Sequence, residues 1–385
     1  MGGSKSTVVM ERSGKRTDSK RLDFLDSLKA FIIFMVITLH VALAYFSIRF
    51  PGWVYNPATN DMLFGVITSL IDGPLLMSVM FFIAGYFTLP SLIKKGPLQF
   101  VKGKIIRIFI PWVIGTIILA PLIGCISSYC DGYKGTFADC IVKYFTPSYG
   151  GQYHFWFLGV LFYFFLITAG IYVLFNKKEF PVKIMEGKSS IPIFLLFIAI
   201  AGGTSFAVSL FNNVYTWTTT CFIQFENIKI PLYIAFFILG IYAYKKNWFL
   251  DGYKPRTLPW AIVFGVSYIV CFCLNIRYEL NPTTVIGKLL LNMAFSIEVL
   301  SYVFLLLSIF RKYFNNAGNK IKTICRCSFG AYIIHMFILL PVLQFTKGVY
   351  IPLFIKFLLQ TAVVSVLTWT IAYGLKRIPG IRRVM

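Results

Sequence analysis

The stretch LDSLKAFIIFMVITLH, residues 25–40, gives the first indication of the fold of this chain. It begins with charged side chains, Asp26 and Lys29, and continues as unbroken hydrocarbon to His40, one of only three histidines in the chain. An apolar run of about 20 residues is what a helix needs to cross a bilayer. The stretch therefore predicts a first membrane span, with an imidazole near the middle of the bilayer, where ionisable groups are costly and usually functional.

The composition extends this interpretation to the whole chain. Of 385 residues, 58% are hydrophobic and only 13% are charged, whereas a soluble domain carries about 25% charged residues. We expect an all-α, polytopic integral membrane protein with about ten transmembrane helices. Apolar runs of spanning length lie at roughly 27–49, 63–89, 105–125, 153–175, 191–211, 230–244, 258–276, 285–310, 327–346 and 350–375. Pro74 and Pro341 fall inside these spans, where proline is expected to kink a helix.

The basic residues test this count independently. With the N-terminal tail placed in the cytoplasm, alternate segments hold 28 Lys and Arg on the inner side and 7 on the outer side. Such a bias predicts that both termini are cytoplasmic, in a cell (plasma or inner) membrane. It also accounts for most of the net charge of +23, so the charge does not indicate nucleic acid as a partner.

The same division predicts the domain organisation. We expect a disordered basic tail over residues 1–22, one transmembrane domain over 23–378 and a short cytoplasmic tail over 379–385. The eight cysteines include no CxxC pair, and no histidine lies at zinc-ligand spacing, which argues against a metal site. Cys130 and Cys140 share one predicted outer loop, where a disulfide between them is possible.

The first span carries the leading candidate for a functional histidine. Lys29 and His40 are eleven residues apart, which is three helical turns and about 20°, so they share a face at an axial separation of about 16 Å. Asp26 lies one turn from Lys29, where a local ion pair is expected. The spacing alone leaves two alternatives open for His40: a catalytic group, or a histidine that only holds neighbouring helices together.

Other ionisable groups inside predicted spans are candidates for a supporting role. Asp72 in the second span and Glu298 in the eighth are deep carboxylates, and either could orient or charge-stabilise His40. His335 lies one-third to halfway into the ninth span and is expected to line a polar cavity. His154, at the outer start of the fourth span beside aromatic residues, is either functional or an interfacial anchor.

The start of the third span, FVKGKIIRIFIPW (residues 100–112), carries two cations. Lys104 and Arg107 are one turn apart and predict, together with Lys29, a cationic mouth at the cytoplasmic face. Two interpretations remain open. Lys104 and Arg107 either bind phosphate groups, since ammonium and guanidinium groups both do so, or simply follow the positive-inside rule.

Four stretches in order along the chain resemble the membrane acyltransferase 3 family. They are LDSLKAFIIFMVITLH (25–40), FFIAGYF (81–87) followed by FVKGKIIRIFIPW (100–112), HFWFLGVLFYF (154–164) and SFGAYIIHMFILL (328–340). A basic residue eleven positions before the histidine is a hallmark of that family. The opening segment is most similar to the glucan succinyltransferase-like subgroup.

The resemblance implies a ten-helix enzyme that takes an acyl group from cytoplasmic acyl-coenzyme A, acetyl-CoA or succinyl-CoA. It implies delivery of that group to a hydroxyl of a sugar or glycan on the other side of the membrane. By match to the motifs, His40 is implied as the catalytic histidine, and Lys29, Lys104 and Arg107 are implied to face the CoA phosphates. The family usually has Arg where this chain has Lys29, and lysine cannot make the bidentate contact that arginine makes.

The implied chemistry suits the first span. CoA phosphates cannot enter hydrocarbon and must stay at a cationic surface, whereas the slender pantetheine arm can carry the thioester inward. A hydroxyl is a weak nucleophile near neutral pH, so transfer benefits from a histidine acting as general base. The residues leave open whether transfer is direct or passes through an acyl-enzyme, and they leave open the oligomeric state.

The main alternative is a proton-coupled membrane transporter. Ten spans with the buried carboxylates Asp72 and Glu298 suit such a carrier. However, a transporter leaves the cationic mouth without an anionic ligand, and no inverted repeat is evident between the two halves. A nonenzymatic membrane scaffold or receptor is the third interpretation.

Overall fold

The computed structural model describes residues 22–46, 54, 58–146, 151–175, 191–213, 216–220, 222–250, 252–278, 282–315 and 318–384. The predicted basic tail lies outside these ranges except for Leu22. The α-helices are α1 (Asp23–Leu43), α2 (Asp61–Leu70), α3 (Gly73–Lys95), α4 (Pro97–Lys104), α5 (Ile110–Ile114), α6 (Ala120–Cys130), α7 (Phe137–Tyr144), α8 (Trp156–Leu174), α9 (Ile191–Ser209), α10 (Ile230–Lys245), α11 (Thr257–Tyr278), α12 (Val285–Tyr313), α13 (Asn319–Phe345), α14 (Leu353–Leu375) and α15 (Pro379–Val384).

Within these ranges, nine helical segments are long and apolar enough to cross a membrane. A shorter apolar helix, α10, has 16 residues and coincides with the short sixth span that the sequence predicts. The chain is therefore a multi-pass, helical membrane protein. The sequence did not predict an antiparallel hairpin of β1 (Trp217–Thr220) and β2 (Ile223–Glu226), which lies between α9 and α10.

The second span differs from the prediction because it is broken. Helix α2 ends before Asp72, whose carboxylate accepts a hydrogen bond of 2.7 Å from the backbone N–H of Gly73 and so caps α3. Pro74 lies in the first turn of α3. Backbone N–H groups in a first turn have no hydrogen-bond partner within the helix, so proline, which lacks this group, is tolerated there. The expected kink at Pro74 is wrong, since this proline starts a helix. Pro341 lies inside α13, as predicted.

The third span also departs from regular α-helix. Between α4 and α5 the backbone is π-helical over Ile105–Phe109, and between α5 and α6 it is π-helical over Gly115–Leu119. A π-helix closes i→i+5 hydrogen bonds, so it rotates the following side chains relative to an α-helix. Lys104 ends α4, whereas Arg107 lies within the first π-helical segment. The expected α-helical stacking of these two residues therefore does not apply.

Two glycines allow α3 and α10 to approach each other closely. A Cβ on Gly85 would lie 2.0 Å from the carbonyl oxygen of Phe237, and a Cβ on Gly240 would lie 2.1 Å from that of Phe82. Small residues at a helix crossing let backbones touch in this way, which is how many membrane helices associate. Only glycine fits at either position of this crossing.

Helix α1 occupies the centre of the bundle. It packs against α3, α12, α13 and α14, and most of its side chains on these sides are buried. The residues of the opening motif are therefore surrounded by protein. This packing places His40 of α1 against α13, where the candidate site lies.

Candidate active site

The three histidines of the chain converge on one point. The ring centroids of His40 and His335 are 5.4 Å apart, and those of His154 and His335 are 4.5 Å apart. His335 is fully buried, His154 is 8% exposed and His40 is partly buried. We call these three residues the histidine cluster. They come from α1, from α13 and from the turn before α8, so the contacts among them join three of the four motif stretches.

Backbone carbonyls define the tautomers of two of these rings. Nδ1 of His40 lies 2.7 Å from the carbonyl oxygen of Val36, and Nδ1 of His335 lies 2.7 Å from that of Tyr332. A carbonyl oxygen only accepts hydrogen bonds, so each Nδ1 must carry the proton and each Nε2 holds the lone pair. Among the described residues, Nε2 of His335 is buried without a hydrogen-bond partner.

The turn that carries His154 is held by the β-hairpin. His154 lies in a short 3₁₀-helix, Tyr153–Phe155, and Tyr153 has a φ of 44°. The preceding residue, Gln152, donates from its backbone N–H to Gln224 at 2.7 Å and from its side chain to the carbonyl of Phe222 at 2.7 Å. It also accepts a hydrogen bond of 3.1 Å from the indole of Trp112. Residues of the hairpin and of the third span thereby position a histidine of the fourth.

A cavity of about 540 Å³ lies between the helix ends and the histidine cluster. Five cationic residues line it: Lys29, Arg107, Arg326, Lys376 and Arg382. Lysine and arginine are the side chains that bind phosphate groups, and arginine does so with two parallel hydrogen bonds. We call this space the cationic cavity.

The wall of the cationic cavity follows two helices inward. Along α13, the lining passes from Arg326 through Phe329 to Tyr332, and His335 lies one turn further. The hydroxyl of Tyr332 donates to the backbone carbonyl of His154, so this tyrosine contacts the histidine cluster directly. From Arg326 to His335 the rise along the helix is about 14 Å.

Along α1, the lining passes from Lys29 to Ile33, on the face that continues to His40. Lys29 forms the expected ion pair with Asp26, at 2.7 Å. The remaining lining residues are largely apolar and include Met80, Phe157 and Leu158. The cavity is therefore cationic at its entrance and apolar further in.

Lys104 is placed differently from Lys29 and Arg107. It is absent from the lining of the cationic cavity, and its ammonium lies 3.6 Å from the ring centroid of Phe165 and 5.1 Å from that of Phe100. A cation above an aromatic face is electrostatically attracted to it. The structure thus brings Lys29 and Arg107 together at the cavity and places Lys104 against aromatic rings.

The two deep carboxylates lie in a separate polar group. Asp72, Glu226 and Glu298 are close enough to interact electrostatically with Lys229, and the thiol of Cys271 hydrogen-bonds to Glu298. Burial raises the pKa of the Glu226 carboxyl, the charge of Lys229 opposes this shift, and the charge of Asp72 adds to it. The side chain that the structure places beside His40 is therefore His335.

Several residues of the site were not found by sequence reasoning. Arg326, Lys376 and Arg382 were interpreted only as part of the positive-inside bias, although the structure places them in the cationic cavity. Tyr332 carried a weak signal, because it lies three residues before His335 in the motif SFGAYIIH. Gln152 had no signal, since its partners come from other parts of the chain.

The cysteines and histidines form neither a metal site nor a cross-link in the part of the chain that the structure describes. No group of three or more His, Cys, Asp or Glu among those residues is arranged to hold a metal ion. Cys130 and Cys140 both carry free thiols, and the thiol next to that of Cys140 is that of Cys125.

Comparison with known proteins identifies the family of the chain. A family model described as "Acyltransferase domain" matches residues 22–377. Glucans biosynthesis protein C of Salmonella heidelberg (strain SL476) is 26% identical over 297 residues, which cover 71% of this chain and 74% of that protein. The same protein of Salmonella schwarzengrund (strain CVM19633) is also 26% identical over 297 residues, with the same coverage of both chains. No solved structure matches the chain. Because the family model covers nearly the whole chain, this membrane protein belongs to the acyltransferase 3 family and is an acyltransferase.

Proposed function

We propose that this enzyme moves an acetyl or succinyl group from cytoplasmic acyl-CoA to a hydroxyl of an extracytoplasmic sugar or glycan. The observation that carries the proposal is the continuity between the cationic cavity and the histidine cluster, through Tyr332. An enzyme that uses a highly charged donor inside a membrane needs both features, and they must be joined. The family makes the protein an enzyme, so the transporter alternative is set aside.

The cationic cavity suits the nucleotide part of acyl-CoA. Its five cations match a donor that carries several phosphate charges, and Arg107, Arg326 and Arg382 can each bind phosphate in a bidentate manner. The apolar lining formed by Met80 and Phe157 suits the pantetheine arm. In this arrangement the thioester extends past Tyr332 towards His40.

We assign His40 as the general base. With its proton on Nδ1, the lone pair on Nε2 takes the proton from the acceptor hydroxyl as the oxygen attacks the thioester carbonyl. The C–S bond then breaks, and the CoA thiolate leaves and takes up the proton from Nε2 of His40, which restores the base. His335 and His154 support the reaction by keeping the ring of His40 in place and by accepting hydrogen bonds from other hydroxyls of the sugar.

The acceptor class is supported by the relatives. Proteins named glucans biosynthesis protein C take part in making a glycan, as their name states. We infer a sugar or glycan acceptor for this chain on that ground. We also propose that the protein lies in the cell (plasma or inner) membrane with both termini in the cytoplasm, and that residues 23–378 form the transmembrane domain.

Sealed inside-out vesicles test the proposal. They are supplied with radiolabelled acetyl-CoA or succinyl-CoA, and label in the glycan fraction is compared between the native chain and His40→Ala. A general base contributes about 10²- to 10⁴-fold, so we expect transfer by the variant to fall at least about 100-fold. The donor that labels the glycan identifies the acyl group.

Thr38→Ala is the matched control on the same helix, because the Thr38 hydroxyl only bonds to the carbonyl of Phe34 in its own helix, at 2.9 Å. It should transfer at the native rate. A His40→Ala protein that inserts normally and keeps full transfer would contradict the mechanism.

A further inference from the structure

A second cavity, of about 400 Å³, lies at the other end of α13 and α14. Its lining includes Lys347, Tyr350, Leu353 and Lys356. Lys347 lies two residues after the end of α13, and Lys356 lies in the first turn of α14. The cationic cavity, in contrast, meets the first turns of α13 and the end of α14. We call this space the lysine cavity. The histidine cluster lies between the two.

The positive charge of the lysine cavity comes from Lys347 and Lys356. Lys356 is only 3% exposed, and its ammonium donates to the backbone carbonyl of Lys347 at 3.2 Å, which occupies one of three N–H groups. It also lies at the positive end of the α14 dipole, which disfavours a cation. None of the described residues that line the cavity is acidic. A buried ammonium in such surroundings is costly unless an anion binds beside it.

Polar side chains continue from the lysine cavity towards α1. Gln360, one turn after Lys356, donates to the Thr346 hydroxyl at 2.6 Å and accepts from the Tyr45 hydroxyl at 2.6 Å. Tyr45 follows His40 by five residues, so this chain of hydrogen bonds reaches the end of the helix that carries the proposed base. A buried polar route between membrane helices suits a ligand with hydroxyl groups better than it suits hydrocarbon.

We propose that the lysine cavity binds an anionic group, a phosphate ester or a carboxylate, carried by the acyl acceptor. This inference rests on the proposed function, because it requires an acceptor that approaches the histidine cluster from the side opposite to the donor. Lys347 and Lys356 hold the anion, and the sugar hydroxyls extend along the polar route towards His40. The enzyme then selects a charged glycan over a neutral one.

A binding experiment without any acyl donor tests this site. The purified full-length protein is placed in phosphatidylcholine nanodiscs, and its affinity is measured for a glucose tetrasaccharide with one phosphate ester and for the same tetrasaccharide without it. We expect the native protein to bind the phosphorylated form at least about 10-fold more tightly, as one charge-assisted hydrogen bond provides. Lys347→Gln and Lys356→Gln should each reduce this preference, and the double variant should abolish it.

Two further variants control the experiment. Lys134→Gln removes an exposed lysine from the loop between α6 and α7 that does not line the cavity, and it should keep the native preference. Lys356→Arg keeps the charge and should also keep the preference for the phosphorylated tetrasaccharide. This variant separates loss of charge from loss of folding. Equal affinities of the native protein for the two tetrasaccharides, or an unchanged preference in the double variant, would overturn the proposal.

A lipid phosphate has the same chemistry as a phosphorylated glycan, so a second arm distinguishes them. Phosphatidylglycerol retained by the native protein and lost from the double variant in native mass spectrometry, with equal binding of the two tetrasaccharides, would assign the cavity to lipid and overturn the acceptor proposal. Binding does not depend on transfer. A preserved phosphate preference together with transfer that is independent of His40 would therefore contradict the proposed function while leaving this site in place.

Discussion

At His40, the helix that carries the residue determines the chemistry of its ring. The Val36 carbonyl, one turn earlier, accepts from Nδ1 and directs the lone pair to Nε2. This contact needs no partner from another helix, so it forms as soon as α1 folds. The ring of His335, 5.4 Å away, is the tertiary addition. The local contact thus selects the tautomer, and packing supplies the surroundings in which we propose that this tautomer acts as a base.

The cations of the predicted mouth should differ in their effect on donor affinity. Arg107→Gln removes a guanidinium that lines the cationic cavity, and loss of a charge-assisted hydrogen bond to phosphate should raise KM for acyl-CoA by about 10- to 100-fold, with kcat little changed. Lys104→Gln removes an ammonium that lies over Phe165. The Lys104→Gln substitution should change KM for acyl-CoA by less than about 2-fold.

Steady-state kinetics with the labelled donor measure both variants, and circular dichroism checks their helix content. A rise in KM for Lys104→Gln as large as that for Arg107→Gln would show that both residues contact the donor, as the spacing of FVKGKIIR first indicated.

Among the helices, the third span shows how local irregularity positions a functional group. The π-helical segment Ile105–Phe109 holds Arg107, and the C-terminal helix α15 packs against this segment. Because Arg382 of α15 lines the same cavity, one contact brings together cations that are far apart in sequence. A regular α-helix through residue 107 would place its guanidinium in another direction.

The crossing of α3 and α10 is the element contact most sensitive to a small substitution. Gly240→Ala would place a Cβ 2.1 Å from the carbonyl oxygen of Phe82, a backbone atom that cannot move without separating the helices. Overpacking of this kind costs about 1 to 3 kcal/mol. We expect the thermal midpoint in detergent to fall by a few degrees, because a loss of about 1 kcal/mol lowers the midpoint of a large domain by about 2 °C.

Gly265→Ala in α11 is the matched control, because a Cβ at that position meets nothing within 4 Å. Its midpoint should stay at or above the native value, since alanine favours a helix over glycine. Equal midpoints for Gly240→Ala and the native protein would mean that the two backbones do not approach this closely.

Across the whole molecule, charge and reactivity are arranged along one direction. The cationic cavity lies at one end of α13 and α14, the lysine cavity lies at the other, and the histidine cluster lies between them. In the proposed function, the donor and the acceptor reach His40 from opposite sides. The acyl group then crosses the membrane, whereas CoA and the glycan each stay on their own side.

The predicted orientation of the molecule in the membrane can be tested with two epitopes. An epitope added after residue 385 should bind antibody in sealed inside-out vesicles, and one inserted after Lys134 should bind only in right-side-out vesicles, because the excess of basic residues keeps the first side in the cytoplasm. Antibody binding to both epitopes from the same side would contradict the assigned topology. Detergent-opened vesicles, in which both epitopes bind, provide the control.

The class of the protein could be predicted from the amino-acid sequence alone. Spans follow from the length of apolar runs, and the family follows from motifs such as residues 25–40, because both depend on residues that are neighbours in the chain. The ion pair of Asp26 with Lys29 was predicted for the same reason. The sequence did not predict the break at Asp72, the π-helical segments or the β-hairpin. Tertiary contacts and local hydrogen bonds determine these features, and they override the pattern of apolar residues.

Which side chains contact one another, in contrast, depends on how the helices pack. His40, His154 and His335 come from distant parts of the chain, and their spacing in sequence carries no information on helix order around the bundle. The same holds for Arg326 and Arg382, because in the sequence their positive charges indicate only which side of the membrane they lie on. Helix packing depends on shape at crossings such as Gly85 with Gly240, and packing of this kind brings the cations and histidines into one site.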